Sequence, residues 1–241
     1  MQDALNDFRD TVKEVEVYFD FLEKIEDLSI GVPHITYSPN HDHNEVRHKI
    51  DEQLVKILKA NAFLLLYNLV EATVKNGIWE IILAIKNDKI TYNKLRKELK
   101  EVWLGQKIKL AFKSRDQEVV KKVYKIVESA LSNSLDFYAN KEYIRFESGN
   151  LSIATIQKTT KKYGVSTKVS VNHSDQGEAF MKTKIERNHL AHGDKTFATC
   201  GKDYPLSLLV QYKDYIIEYL RRTLITIEDS IEQKEFRVLV V

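Results

Sequence analysis

The run Glu186-Arg187-Asn188-His189-Leu190-Ala191-His192-Gly193 sets a planar guanidinium and an imidazole five positions apart. A free imidazole takes and gives protons near neutral pH, titrating at about 6.5. A guanidinium never loses its charge and grips an oxyanion through paired N–H groups. Together they suit proton transfer beside an anionic centre. Five helical positions advance about 7.5 Å and rotate about 140°, so the two side chains converge only with help from the helix end or a second subunit. Spacing alone leaves a structural role open, with Arg187 paired to Glu71 or to a surface acid and His192 capping the last helical carbonyls.

His34, His41, Asp42, His43 and His48 form a second concentration of titratable groups. His-x-His can hold zinc, but this stretch has neither a cysteine nor paired helical spacing, and no metal site is expected there. There is no phosphate-cradling Gly-rich loop, serine nucleophile elbow or Cys-x-x-Cys, and no cofactor is expected. The single cysteine, Cys200, cannot make an intrachain disulfide, and Met1-Gln2-Asp3 is acidic where a secretory leader is basic and then apolar. A reducing cytoplasm is the expected compartment. No apolar run approaches the roughly 20 residues of a membrane span, and none is expected.

The formal net charge of +2 conceals an uneven distribution. Residues 1–30 carry 3 Lys/Arg and 9 Asp/Glu, whereas residues 86–125 carry 13 Lys/Arg and 5 Asp/Glu. Lys158, Lys161, Lys162 and Lys168 extend the basic stretch. Such a stretch is either a solvated helical face or a phosphate-binding surface, and the excess favours the second.

Helices must position these groups. Between Pro39 and Pro205 the chain has no proline and few glycines, so helices run uninterrupted. Leu5, Phe8, Val12, Val15, Phe19 and Leu22 mark one stripe of a first helix. Leu28 to Asn44, with Gly31, Pro33 and Ser38-Pro39-Asn40, reads as a loop. A helix is expected from about Val46 to Lys86, apolar on most sides and therefore central, with Asn61, Asn68 and Lys75 recurring every seven residues and Glu71 beside them. Buried there, these polar groups would need partners.

Residues 91–138 read as further, charged helices. Ser148-Gly149-Asn150 offers a turn and an N-cap for a short helix that stops at Gly164, and residues 164–176 read as loop. A helix from about Gly177 should end near Gly193. The last helix begins at Pro205 and buries a face from Leu208 to Ile231. The tail Arg237 to Val241 is apolar and β-prone. The fold class is therefore all-α, an antiparallel helical bundle of one domain (residues 1–241) with a basic insertion at about 87–170.

Arg187-Asn188-His189-Leu190-Ala191-His192 resembles the signature of the HEPN superfamily (higher eukaryotes and prokaryotes nucleotide-binding): arginine, a polar residue, three more residues, then histidine. The surroundings resemble a longer branch of HEPN ribonucleases, through Tyr67-Asn68-Leu69-Val70-Glu71-Ala72-Thr73, Ser148-Gly149-Asn150-Leu151, Tyr163-Gly164-Val165 and Phe197. The resemblance implies a bundle that dimerises and brings two motifs into a cleft that cleaves RNA without metal, as a toxin or in anti-phage defence with a possible antitoxin partner. His192 would then be the proton acceptor and donor and Arg187 the cation for the phosphate. Asn188 would orient the phosphate or His192. Glu71 would hold Arg187 across the bundle or simply pair with Lys75 one turn away. Lys107, Lys109 and Lys113, with Lys75, are the candidate RNA-backbone contacts. Some HEPN toxins carry, two residues after the histidine, a tyrosine that an antitoxin modifies. Asp194 stands there, so silencing by that route is not expected. The rival functions are a non-catalytic RNA-, nucleotide- or protein-binding module of the same fold and a purely helical interaction protein.

Overall fold

The computed structural model describes residues 1–27, 34–37, 46–112, 118–132, 135, 137, 141–144, 146, 151–167 and 174–238. The fold is all-α as expected. Its helices are α1 (Gln2–Asp27), α2 (Glu52–Asn87), α3 (Lys97–Ala111), α4 (Val119–Leu131), α5 (Ile153–Lys162), α6 (Ser174–His192), α7 (Phe197–Lys202) and α8 (Leu206–Glu232). A two-stranded antiparallel hairpin, β1 (His34–Tyr37) and β2 (Val46–Lys49), pairs His34 with Lys49 and Tyr37 with Val46.

The hairpin corrects two expectations, since β1 lies in the predicted loop and β2 takes the first residues of the predicted central helix. Its strands are four residues each, too short for alternation to show, and their β-branched and aromatic residues were the one signal present. The helix starts instead at Glu52, where Asp51 Oδ1 accepts the backbone N–H of Gln53 at 2.9 Å. Ser152 caps α5 by accepting the Thr155 N–H. The turn and cap expected at 148–150 lie outside the described residues. Gly164 ends α5 and Gly193 ends α6, both at positive φ as glycine permits.

By length and composition α2 would cross a membrane, but Phe63, Leu66, Leu69, Val74, Ile78 and Ile82 are buried in the protein's own core. The polar stripe on this helix is not buried as expected: Asn68 is exposed and Asn61, Glu71 and Lys75 are half-buried. Asn61, half-buried, donates its Nδ2 to the Ile57 carbonyl at 3.2 Å.

The chain forms two compact units. One holds residues 1–6, 71–170 and 219–241; in it α2 meets α8 at Gly77, where an added Cβ would lie 2.8 Å from Ile227 Cδ1. The tail pairs with the turn after α2, the Val238 N–H donating to the Lys94 carbonyl at 2.9 Å, and Asp88 accepts from Lys234 and Arg237. The other unit holds residues 7–70 and 171–218 and carries the Arg187–His192 segment. Here Tyr18 donates to the Leu58 carbonyl at 2.6 Å, and α7 lies against α2 so closely that a Cβ on Gly201 would stand 1.8 Å from the Lys56 carbonyl oxygen. The obstacle is backbone and cannot turn aside. Gly201→Ala should therefore destabilise the protein by about 3 kcal/mol, read by urea unfolding; a midpoint equal to wild type would mean that α7 is free to lift from α2.

Candidate functional site

The last turns of α6 present the site. Helix α6 ends at His192, and Gly193, at φ 77°, reverses the chain so that the Asp194 N–H reaches back to the His189 carbonyl at 2.9 Å. The His189 carbonyl is thus satisfied by backbone. His192 is exposed, and its side chain makes no hydrogen bond or ion pair with any described residue. The capping role left open by spacing is not what the structure shows.

Arg187 is half-buried. Its guanidinium lies over the Tyr67 ring of α2, 4.4 Å from the centroid, and Nη1 donates to Asn188 Oδ1 at 3.1 Å. A position over an aromatic face holds the cation without neutralising it. No described carboxylate pairs with it, so the ion-pair alternative is also set aside. Tyr67, one turn before Glu71, is the α2 residue that the guanidinium meets. Glu71 lies in the other compact unit, as Lys75 does, and makes no ion pair with Lys75.

Beneath the motif sits a carboxylate to which sequence reading assigned no role. Glu186 is only 4% exposed. Lys195 Nζ donates to both its oxygens at 3.0 Å, Tyr204 OH donates at 2.9 Å, and Cys200 Sγ lies at 3.4 Å. The Tyr204 ring packs edge-on against Phe63 of α2 at 4.7 Å between centroids. Burial alone would raise the Glu186 carboxyl, but the hydrogen bonds from Lys195, Tyr204 and Cys200 outweigh it and hold the group below its ordinary value. Burial, then the carboxylate, pushes the Cys200 thiol up to about 12, so it stays protonated and inert. The carboxylate's hydrogen bonds in turn raise Lys195. His189 Nδ1 is buried, has no hydrogen-bond partner among the described residues and stands 3.9 Å from Glu186 Oε2. The cluster ties the turn after His192 back onto α6. No sequence spacing announces it, because Lys195, Cys200 and Tyr204 meet Glu186 only once the chain has turned through Gly193 into α7.

A carboxyl held low in the folded state stabilises it above the ordinary carboxylate range, and that contribution fades as pH falls through the lowered value. Glu186→Ala should cost about 3 kcal/mol at neutral pH, the Lys195 and Tyr204 donors losing their acceptor. Its deficit against wild type should shrink in acid, which unfolding curves across pH would show. A deficit constant with pH would mean that packing, not charge, is lost.

The other candidates are dispersed. Lys107 is half-buried, its ammonium 5.6 Å from the Trp103 ring centroid, and Lys109 is exposed on α3. Lys113 lies outside the described residues, as do the side chains of the histidine-rich stretch 34–48. Phe197 opens α7 and is half-buried.

Fold and site define an all-α module that presents, at the C-terminal end of one long helix, an arginine and a histidine that no described carboxylate pairs with. The chain belongs to the family described as HEPN_MAE_28990-like HEPN, whose model matches residues 2–236. That span runs across the basic middle of the chain. HEPN proteins are nucleotide-binding and ribonuclease-type modules that bind RNA and often dimerise. No match to the chain was found among curated proteins or among solved structures.

Proposed function

We propose that this chain is a metal-independent endoribonuclease that cleaves RNA through attack of the ribose 2′-hydroxyl. The observation that carries the reading is the availability of both groups: Arg187 is held by a ring and an amide, and the His192 side chain makes no hydrogen bond or ion pair with any described residue. A cation already neutralised by a carboxylate would lose most of its pull on a phosphate, whereas this one keeps it. In the reaction His192 takes the proton from the 2′-hydroxyl as that oxygen bonds to phosphorus and returns it to the 5′-oxygen as the P–O5′ bond breaks, while Arg187 stabilises the negative charge that gathers on the non-bridging phosphate oxygens. Asn188 orients Arg187. The active form we propose is a homodimer, because one helix end offers few groups and two-fold pairing doubles them. The setting is that of a cytoplasmic toxin or defence nuclease.

The test is incubation of purified protein with labelled single-stranded RNA, wild type beside His192→Ala. Cleavage lost in the variant supports the reading. RNA binding without cleavage by wild type would make the chain a non-catalytic binding module of the same fold.

The basic middle supplies backbone affinity in this proposal. Replacing Lys107, Lys109 and Lys113 with Gln should weaken RNA binding regardless of sequence, and the slope of log K against log salt should fall by about 0.7 for each phosphate contact removed. An unchanged slope would return these lysines to a solvated face.

A further inference from the structure

The polar side chains at the end of α6 follow one order along the chain and another around the helix. At about 100° per residue, Glu186, His189, His192, Asn188 and Arg187 succeed one another by steps of about 60°, 60°, 40° and 100°. His189 thus stands between the buried carboxylate and His192. Its ring is divided between two environments. Nδ1 is buried, has no hydrogen-bond partner among the described residues and lies 3.9 Å from Glu186 Oε2, yet the side chain as a whole is 37% exposed. That exposure belongs to the opposite edge of the ring, which carries Nε2.

Glu186 decides which nitrogen bears hydrogen. A lone pair on Nδ1 would be repelled by the carboxylate it faces, so the inner nitrogen is the protonated one. Oε2 already accepts from Lys195 at 3.0 Å and from the Cys200 thiol at 3.4 Å. The thiol is the weakest donor in the cluster, and it is the contact that yields when the imidazole N–H closes on Oε2. Nε2 is left to meet whatever approaches from solvent.

We infer that His189 is a second phosphate-binding cation, its Nε2–H donating to one non-bridging oxygen of the scissile phosphate while Arg187 holds the other; this role rests on the ribonuclease reading above. The need is electrostatic. A helix C-terminus carries about half a negative charge, which repels a phosphate, and His192 must be neutral to take a proton. Arg187 alone would face the helix end, the phosphate and the further charge of the transition state.

The second charge arrives with the substrate. The titratable groups facing His189 are Glu186, Arg187 and His192 on α6, and Asp194 and Lys195 in the turn, whose backbone N–H groups both point at the His189 carbonyl. Beyond the turn, Cys200 and Tyr204 reach Glu186, and Asp203 lies 3.9 Å from Lys195. Helix α2 brings aromatic rings to this end, Tyr67 under Arg187 and Phe63 against Tyr204. Helix α8 meets α6 about three turns earlier, where Tyr212 donates to Glu178 at 3.4 Å. A phosphate adds an anion on the Nε2 side, and only a doubly protonated ring donates to anions on both sides. Binding therefore draws a proton from solution onto Nε2, and product release returns it.

The test measures binding of a rhodamine-labelled oligouridylate with hydroxyl ends to the full chain carrying His192→Ala, which blocks cleavage and removes the neighbouring imidazole. Affinity should rise about tenfold from pH 8 to pH 6, since an imidazole charges as pH falls through about 6.5. Calorimetry in buffers of different ionisation heat should find proton uptake near pH 7. Adding His189→Gln should leave the weak affinity at every pH and abolish the uptake, whereas His189→Arg should hold the strong affinity at every pH. A pH dependence that survives both substitutions would place the titrating group elsewhere and overturn the inference. So would affinity indifferent to both, or unfolding of both, which would make His189 a packing residue. Cleavage by wild type with binding indifferent to His189 would sink this inference alone. Binding linked to pH through His189, without cleavage by wild type, would uphold it and sink the nuclease.

Discussion

Arg187→Ala and His192→Ala should each abolish RNA cleavage while leaving the protein folded. Removal of a positioned proton donor or acceptor lowers a rate by about 10²–10⁴-fold, and loss of a cation at the phosphate has a similar effect. The stability changes should be small and unequal. His192 is exposed and makes no hydrogen bond or ion pair with any described residue, so its truncation should shift unfolding by less than about 0.5 kcal/mol. Arg187 gives up its stacking on Tyr67 and should lose about 1 kcal/mol. Arg187→Lys separates charge from shape: it keeps the charge but loses the planar fork, and its activity should fall well below wild type without matching the alanine variant. Parallel cleavage assays and thermal melts decide the matter. Unfolding of either alanine variant would show that these residues support the helix end and not the reaction.

A single 2′-deoxy substitution at the scissile linkage should stop cleavage there, and the products elsewhere should carry 2′,3′-cyclic phosphate and 5′-hydroxyl ends. The argument rests on the donor set. Glu186, the carboxylate next to the motif, has its oxygens engaged by Lys195, Tyr204 and Cys200. The residues around His192 therefore supply proton transfer and positive charge, and the simplest nucleophile for such a set is one the substrate already carries. Holding the 2′-hydroxyl in line recruits no separate water and gains the advantage of intramolecular attack. Cleavage should persist in EDTA and spare DNA. Mass spectrometry of the fragments provides the test, since 5′-phosphate ends or loss of activity on chelation would require water attack with metal help and would overturn the roles assigned to Arg187 and His192.

Much of the fold was legible because helices announce themselves locally. The three-and-four spacing from Leu208 to Ile231 is enough to place α8, and the stripe from Phe8 to Leu22 is buried as its periodicity requires. Gly193 ends α6 because only glycine turns a helix end through positive φ without strain. The β-hairpin escaped notice for the converse reason: four residues per strand give a period of two no room to repeat.

The sequence by itself determined most of the helices, though not α7, where α6 stops, and that Arg187, Asn188 and His192 stand at its end, since each depends on neighbours within a few residues. Tertiary structure alone decided what those residues touch. It seated Arg187 on Tyr67, left His192 in water, and gathered Lys195, Cys200 and Tyr204 around Glu186. It also turned the polar stripe of α2 outward at Asn68 and left the apolar stripe of α4 uncovered. Amphipathic spacing states that a face will be buried but not against what. The choice falls to whichever surfaces the turns between helices bring together, and that information is spread over the whole chain.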